Sequence, residues 1–408
     1  MVTLRYGSSS SVELEFDRCT LVAECGNRER RAPIDVVERV SEVLDNPVGI
    51  PALAKCVTPS DQIVIALEEG VPGGDEIAAA VVRYLADAGV DPDGIIVLRS
   101  AADAARRSGN CLLHLPDELQ RRVRLVDHDP NDQSGLAFLA TSKSGSPIWL
   151  NRALTDADMV LPIGCVHGRA VPGHFGLHGA VYPTYADAEA QEKFRSPRAL
   201  GARGRHRRSI VEAVEEVGWL LGIVFAIQVV PGVADSAEDV VAGAVDAVRR
   251  RSRGLYQKIW RSDVPHRARI VVAGIEGGPD QQTWRNLARS LVAAMECVED
   301  EGAIVLCCEL AEEPGKAMEC LRRARNREEA VREIIDSPPD DALAVAQLVR
   351  AQERVDVFFR SGLDSELLED LMIPAIESDD ELNRLISRFP DGILLGNAPF
   401  TFTRIAES

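Results

Sequence analysis

Nowhere in its 408 residues does the chain carry a Cys-x-x-Cys pair, a membrane-length apolar run or a Gly-x-Gly-x-x-Gly fingerprint. Each absence removes a class of function. The nine cysteines, Cys19, Cys25, Cys56, Cys111, Cys165, Cys297, Cys307, Cys308 and Cys320, are odd in number and scattered. That argues against a zinc knuckle and a disulfide framework, and reduced thiols in a cytoplasmic setting are the expectation. A membrane span needs about 18 or more apolar residues in a row. The most hydrophobic stretch, Trp219 to Val230, is too short and reads as a helix end running into a buried strand. Met1 to Glu13 has no basic segment followed by an apolar one, so a signal peptide is not expected. With no Gly-x-Ser-x-Gly, Walker loop or His-Glu-x-x-His, the elbow hydrolases, P-loop enzymes and zinc proteases are set aside. Positive charge is scarce too: 46 Lys plus Arg face 64 Asp plus Glu, a formal net charge of −18. Such a field repels nucleic acid and anionic lipid, so neither nucleic acid nor membrane is an expected partner.

What is present suits a packed α/β protein. Hydrophobic residues are 46% and charged residues 27% of the chain, globular proportions, and the length allows two domains. Val2 to Ala23 alternates in places and predicts an opening strand or hairpin, and Pro33 suits the N1 position of a helix reaching Val43. Strands are then predicted at Gln62–Leu67, Gly94–Leu98, Val123–Val126, Asp158–Ile163 and Ile223–Val230. Helices are predicted at Glu76–Ala88, capped by Asp75, at Ser209–Leu221 and at Ala237–Arg251. The rhythm restarts after Lys258, with strands at Arg269–Ala273, Ala303–Cys308, Val357–Phe359 and Gly392–Leu395. Helices there are predicted at Gln281–Val298, Gly315–Arg325 and Asp340–Val355. The fold class is therefore α/β, with two domains, residues 1–258 and 266–408. Each is a mostly parallel sheet flanked by helices, and a cleft lies between them.

Ligands in open sheets sit beyond the carboxyl ends of strands, which directs attention to three loops. Glu68-Glu69-Gly70-Val71-Pro72-Gly73-Gly74-Asp75 offers backbone amides, but its two glutamates repel phosphate and suit a cation, an amine or a sugar hydroxyl. A solvated turn before a capped helix explains it equally. Gly164 to Gly179 holds His167, His174 and His178, three of seven histidines, with Arg169. Imidazole serves as metal ligand or as acid/base near neutral pH, or simply caps backbone groups in a long loop. Gly274 to Gln282 includes Asp280, a natural N-cap for a helix starting at Gln281; Trp284 and Arg285 follow and can face the other domain. A basic run, Arg195, Arg198, Arg203, Arg205, His206, Arg207 and Arg208, reads either as a solvated linker or as a grip on an anion or partner.

Taken in order, these segments resemble the nickel-dependent lactate racemase family. Asp45-Asn46-Pro47-Val48-Gly49-Ile50-Pro51 with Leu53-Ala54 is similar to the family's Asn-Pro-Ile-Gly stretch. Ser144-Gly145-Ser146-Pro147, Leu150-Asn151, Asp156-Ala157-Asp158 and Ile163-Gly164 are similar to the approach to its central loop. Phe194-Arg195-Ser196-Pro197 and Gly277-Gly278-Pro279-Asp280-Gln281 follow in sequence. The resemblance spans nearly the whole chain and implies the two-domain fold. It also implies a nickel pincer nucleotide tethered to a lysine through a thioamide, and two histidines acting on the substrate hydroxyl. Here the chain departs. Glu68 keeps the carboxylate of the family's Asp-x-x-Arg-Pro turn, but Val71 replaces the arginine. The next histidine falls near Ala102, the central-loop histidine at Arg169 and the tethering lysine at Gly179. No lysine occurs from Ile163 to Glu192, and no histidine from Tyr185 to Phe194. Asp280 and Gln281 persist, while the later Gln and Lys positions are Arg285 and Ala288.

The cofactor in its usual tethered form is thus not expected, nor any metal. What the resemblance implies is a divergent racemase or epimerase of a 2-hydroxy acid or polyol acid. His174 and His178 would be its acid/base groups. Glu68, Glu69, His167, Arg169, Asp280, Gln281 and Arg285 would bind the substrate, with Arg169 on its carboxylate and Glu68 and Asp280 on hydroxyls. The other reading is a non-catalytic relative that keeps the fold as a ligand-binding or regulatory subunit. The expected partner is a small hydroxy acid or other anionic ligand, and assembly as a homo-oligomer is left open.

Overall fold

The computed structural model describes residues 1–29, 34–106, 108–168, 171–200 and 204–406. Pro33, Arg169 and Arg203, named above, lie outside the described residues.

Two sheets carry the fold. The first runs Ala237–Ala244, Phe225–Pro231, Met159–Cys165, Ile63–Leu67, Ile95–Arg99 and Arg124–Asp127 from edge to edge. All neighbours are parallel except Ala237–Ala244, which is antiparallel to Phe225–Pro231. The second runs Asp356–Arg360, Val298–Cys307, Ala268–Gly274, Asp391–Leu395 and Thr20–Cys25, all parallel. The chemistry of the strands dictates this. Ile63–Leu67 is IVIAL with every side chain buried, and Phe225–Pro231 is buried throughout. A strand apolar on both faces is stable only between two helical layers, which is where parallel sheets live. The predicted α/β class with parallel sheets flanked by helices is what the structure has.

Three local expectations are corrected. Ala237–Arg251, read as one helix, is the strand Ala237–Ala244 followed by the helix Val245–Trp260. Val240, Val241 and Ala242 are all buried, and Gly243 adopts φ +140, with the Val48 carbonyl oxygen 2.3 Å from where its Cβ would be. A regular helix cannot hold that backbone, and only glycine leaves room for Val48. Asp75 is not a cap: the helix Gly74–Asp87 starts from Gly73, and Asp75 instead meets His114 at 3.0 Å. Nor is Asp280. The helix Trp284–Cys297 is capped by Thr283, whose hydroxyl accepts from the Asn286 amide.

The first residues of the chain pack on the second sheet. Val2–Tyr6 and Ser10–Leu14 form a hairpin whose Leu4, Val12 and Leu14 share a core with Ile270 and Val272 of the second sheet. Thr20–Cys25 is that sheet's edge strand. The chain thus begins on the second sheet, crosses to build the first, and returns. Alternating residues show that a strand forms but not which sheet it joins.

Candidate active site between the two sheets

The loops leaving the carboxyl ends of both sheets touch one another. Gly278 N donates to Asp235 Oδ2 at 2.7 Å, and Ala234 N donates to Asn397 Oδ1 at 3.1 Å. Between them lies a network of charge. Glu69, directly after Ile63–Leu67, accepts from Arg106 Nη2 at 2.9 Å and pairs with Arg285 Nη2 of the second domain at 2.6 Å. Arg106 also bonds Asp103 at 3.1 Å and lies 3.5 Å from Glu312 of the second domain. Burial alone would raise the Glu69 carboxyl, but Arg285 and Arg106 outweigh it and hold it below the usual range. Asp103 goes the other way: burial first, then the nearby Glu69 charge, push it up to about 6.

Deeper in, His167 Nδ1, His174 Nδ1 and Arg289 Nε have no hydrogen-bond partner among the described residues. All three side chains are buried, at 8%, 8% and 7% exposure. The two imidazoles meet edge-on with centroids 4.9 Å apart, and His167 stacks on Phe400. His174 Nδ1 lies 3.7 Å from Glu68 Oε1, beyond hydrogen-bond reach. Glu68 is itself fixed by the Cys165 amide, which donates to Oε2 at 2.8 Å. Arg289 reaches Asn286 Oδ1 with Nη1 at 3.2 Å. Burial and then Arg285 lower its guanidinium to about 10. His167 is held well below its ordinary value by burial, then by Arg289 and His174. It is therefore neutral at pH 7. Below about pH 6.5 the unfolded chain takes up that proton and the folded one does not, so folding stability falls as pH drops. His167→Asn is expected to flatten that part of the decline in urea titrations from pH 7 to pH 5.

No ring contact or hydrogen bond joins the expected pair His174 and His178 among the described residues, and His178 Nε2 is itself buried without a hydrogen-bond partner there. His178 Nδ1 meets Glu215 Oε2 at 3.1 Å, Arg249 grips the same carboxylate, and the ring packs on Gly218. A Cβ added at Gly218 would lie 2.4 Å from the His178 ring. Gly218→Ala is therefore expected to destabilise by about 1–3 kcal/mol through overpacking, read by thermal unfolding. His178 joins the loop to the Gly204–Leu220 helix, and His167 takes the place beside His174. Glu68, Glu69, His167, Gln281 and Arg285 do gather at the cleft, with Asp280 at its rim. In the basic run, Arg207 Nη2 donates to His174 O at 2.9 Å and Arg195 pairs with Asp340 at 2.5 Å. Arg205, His206 and Arg208 are exposed, so this segment divides between bracing the loop and facing solvent.

Arg289, Arg106 and Asp103 escaped the sequence reading. A signal existed for one of them: Arg289 lies four residues after Arg285, on the same helix face. A pocket of ≈300 Å³ opens beside these groups, with Glu68, Asp103, Asp235, Asp280 and Gln281 in its wall.

Two mostly parallel sheets whose strand-end loops meet around buried histidines and arginines define a two-domain α/β protein with a candidate small-molecule site in its cleft. Residues 6–194 match the lactate racemase N-terminal domain family. Among solved structures, the lactate racemase apoprotein from Thermoanaerobacterium thermosaccharolyticum superposes with TM-score 0.77 at 15% identity, covering 99% of each chain. A protein from Thermotoga maritima superposes at 0.62 with 13% identity, over 92% of this chain and 100% of that one. No curated protein sequence matches the chain. Residues 6–194 are thus similar to that N-terminal domain family, and the whole chain shares the fold of the lactate racemase apoprotein.

The family's tethered nickel cofactor does not fit these residues. Gly179, where the resemblance puts the family's lysine, sits buried in the short 3-10 turn Leu177–Ala180 and offers no amine. Lys193 is exposed. Among the described residues no group of three His, Cys, Asp or Glu side chains is placed to hold a metal ion. The Cys165 thiol, raised by burial and then by Glu68, is no nucleophile at neutral pH.

Proposed function

We propose that the chain is a divergent isomerase, a racemase or epimerase of a 2-hydroxy acid or polyol acid, that works without a covalently tethered cofactor. The observation that carries this reading is the buried His167–His174 pair. Its two Nδ1 atoms and the neighbouring Arg289 Nε lack partners among the described residues, and a buried polar group without a partner costs about 1–3 kcal/mol. A substrate carboxylate on Arg289 and a hydroxyl on His174 would supply those partners.

Ring centroids 4.9 Å apart leave no room for a carbon between the imidazoles, so both act from one side. His174 exchanges the hydroxyl proton, and neutral His167 orients it. Inversion at C2 needs a proton-exchanging group elsewhere. Asp103, in the wall of the pocket and raised to about 6, meets that need. It takes the C2 proton, the bonding pair moves onto the carboxylate held by Arg289, and a proton returns from the histidine side.

The test is chiral chromatography of enantiopure 2-hydroxy acids incubated with the protein. His174→Ala should slow interconversion at least about 100-fold, and His178→Ala should leave it in place. Absence of interconversion across the panel counts against the proposal.

A second reading is a ligand-binding subunit without turnover. It is favoured by Glu69 being already engaged by two arginines. It predicts binding of a hydroxy acid with no conversion, and an intact cellular role in the His174→Ala and His178→Ala proteins. A phenotype equal to deletion would exclude it.

A further inference from the structure

The helix Gly204–Leu220 has two faces with different partners. Inward, Arg207 Nη2 donates to His174 O and Glu215 holds the His178 ring. The other face carries Arg205, Arg208, Glu212, Glu216 and Trp219. At 3.6 residues per turn these five fall within about 80° of the helix circumference, so they form one stripe. Trp219 is 77% exposed. Arg205, Arg208 and Glu212 are exposed too, and they make no ion pair among the described residues. Glu216 Oε1 accepts from Lys143 N at 2.9 Å, and its other oxygen has no partner among the described residues.

The order of these charges is the second observation. The helix has no acidic residue in its first turn and no basic one in its last; its arginines come first and its glutamates follow. The helix dipole favours the reverse, and glutamate ahead of a cation is the better order for pairs four residues apart. A stripe that met only water would gain nothing from this arrangement. An antiparallel copy of the same stripe does gain. A two-fold axis near Ile210 sets Arg208 opposite Glu212 of the second copy, and Arg205 within one residue of its Glu216. The axis repeats both contacts, and the two helix dipoles then run in opposite directions. Trp219, one turn beyond Glu216, covers the end of the seam beside Arg205 of the second copy, where a cation can lie on its ring.

We propose that the outer face of Gly204–Leu220 is the seam of a two-fold homodimer, with this helix packed antiparallel on its own copy. Charge complementarity selects the occupant. A nucleic acid or acidic peptide would meet the arginines but be repelled by Glu212 and Glu216, and a basic partner would meet the opposite conflict. A partner bearing both signs in reverse order fits, and a second copy has that order by symmetry. The net charge of −18 makes copies repel one another in general, so a contact between them needs such a place where opposite charges meet. The inference is independent of the hydroxy-acid reading.

The experiment is sedimentation velocity of the full chain at concentrations from about 1 to about 200 µM. A helix of this length runs about 25 Å, and one such seam falls short of the ~1,600 Å² of a standard interface. The association is therefore weak, with monomer at the lowest concentration and dimer at the highest. Arg208→Glu and Glu212→Arg should each weaken the dimer at least about tenfold by setting like charges against each other, with both variants folded by circular dichroism. Mixed together, the two variants should associate again, because each reversed side chain then meets its opposite. Trp219→Ala should weaken the dimer without abolishing it. A monomer throughout the range overturns the proposal. So does a dimer that either charge reversal leaves intact, or a mixture of the two variants that stays monomeric.

Discussion

Arg289→Met is expected to weaken hydroxy-acid binding about 100-fold or more while leaving the free protein folded. Truncating one member of a buried charge pair costs about 2–5 kcal/mol of binding. A carboxylate on Arg289 would be such a partner, because the guanidinium is buried and its Nε has no partner among the described residues. Free-state stability responds differently. The arginine already bears the desolvation that lowers it to about 10, and methionine removes that cost. Against this, Glu68 loses a nearby positive charge. The two terms oppose, so the melting temperature should move by only a few degrees. Calorimetric titration with parallel thermal unfolding separates the effects. A large loss of stability with unchanged affinity would make Arg289 a structural residue.

Glu69→Gln should do the reverse, with its main effect on the free protein. The carboxylate joins Arg106 of the first domain to Arg285 of the second, and neutralising it leaves two arginines facing each other. Breaking one side of a buried pair costs about 3–5 kcal/mol. Arg285 is 39% exposed and Arg106 22%, so solvent screening reduces the expected loss to about 2–3 kcal/mol. Urea unfolding reads this directly. Hydrogen exchange should show faster opening of the Glu69 and Arg285 backbone amides, since this ion pair crosses the cleft. Unchanged exchange would mean that the pair does not hold the domains together.

Much of the fold was legible because its strands are short apolar runs bounded by turns, a pattern parallel sheets require. Pairing partners were not. Thr20–Cys25 is a short, partly exposed run, and nothing local assigns it to a sheet whose other strands all lie at or beyond residue 268. Ala237–Ala244 failed because Ala, Glu and Val fit a helix as well as a strand, until the contact of Gly243 with Val48 decides. The site was legible as loops, not as chemistry. Glu68, Glu69, His167, His174 and Arg285 were named from loops that follow strands, and they converge. His178 was paired with His174 by spacing, but Glu215, 37 residues on, holds its ring instead. Arg289 and Asp103 became visible only once two distant elements buried them together.

The most direct measurement is proton exchange at C2 of a 2-hydroxy acid in D2O, followed by NMR, using protein shown by mass to carry no covalent adduct. The account predicts that the C2 proton is replaced by deuterium at a rate that falls at least about 100-fold in His174→Ala. It predicts a loss of exchange in Arg289→Met as the carboxylate grip is lost. No exchange in the unmodified protein would contradict it, as would exchange only in a fraction bearing a tethered nickel nucleotide.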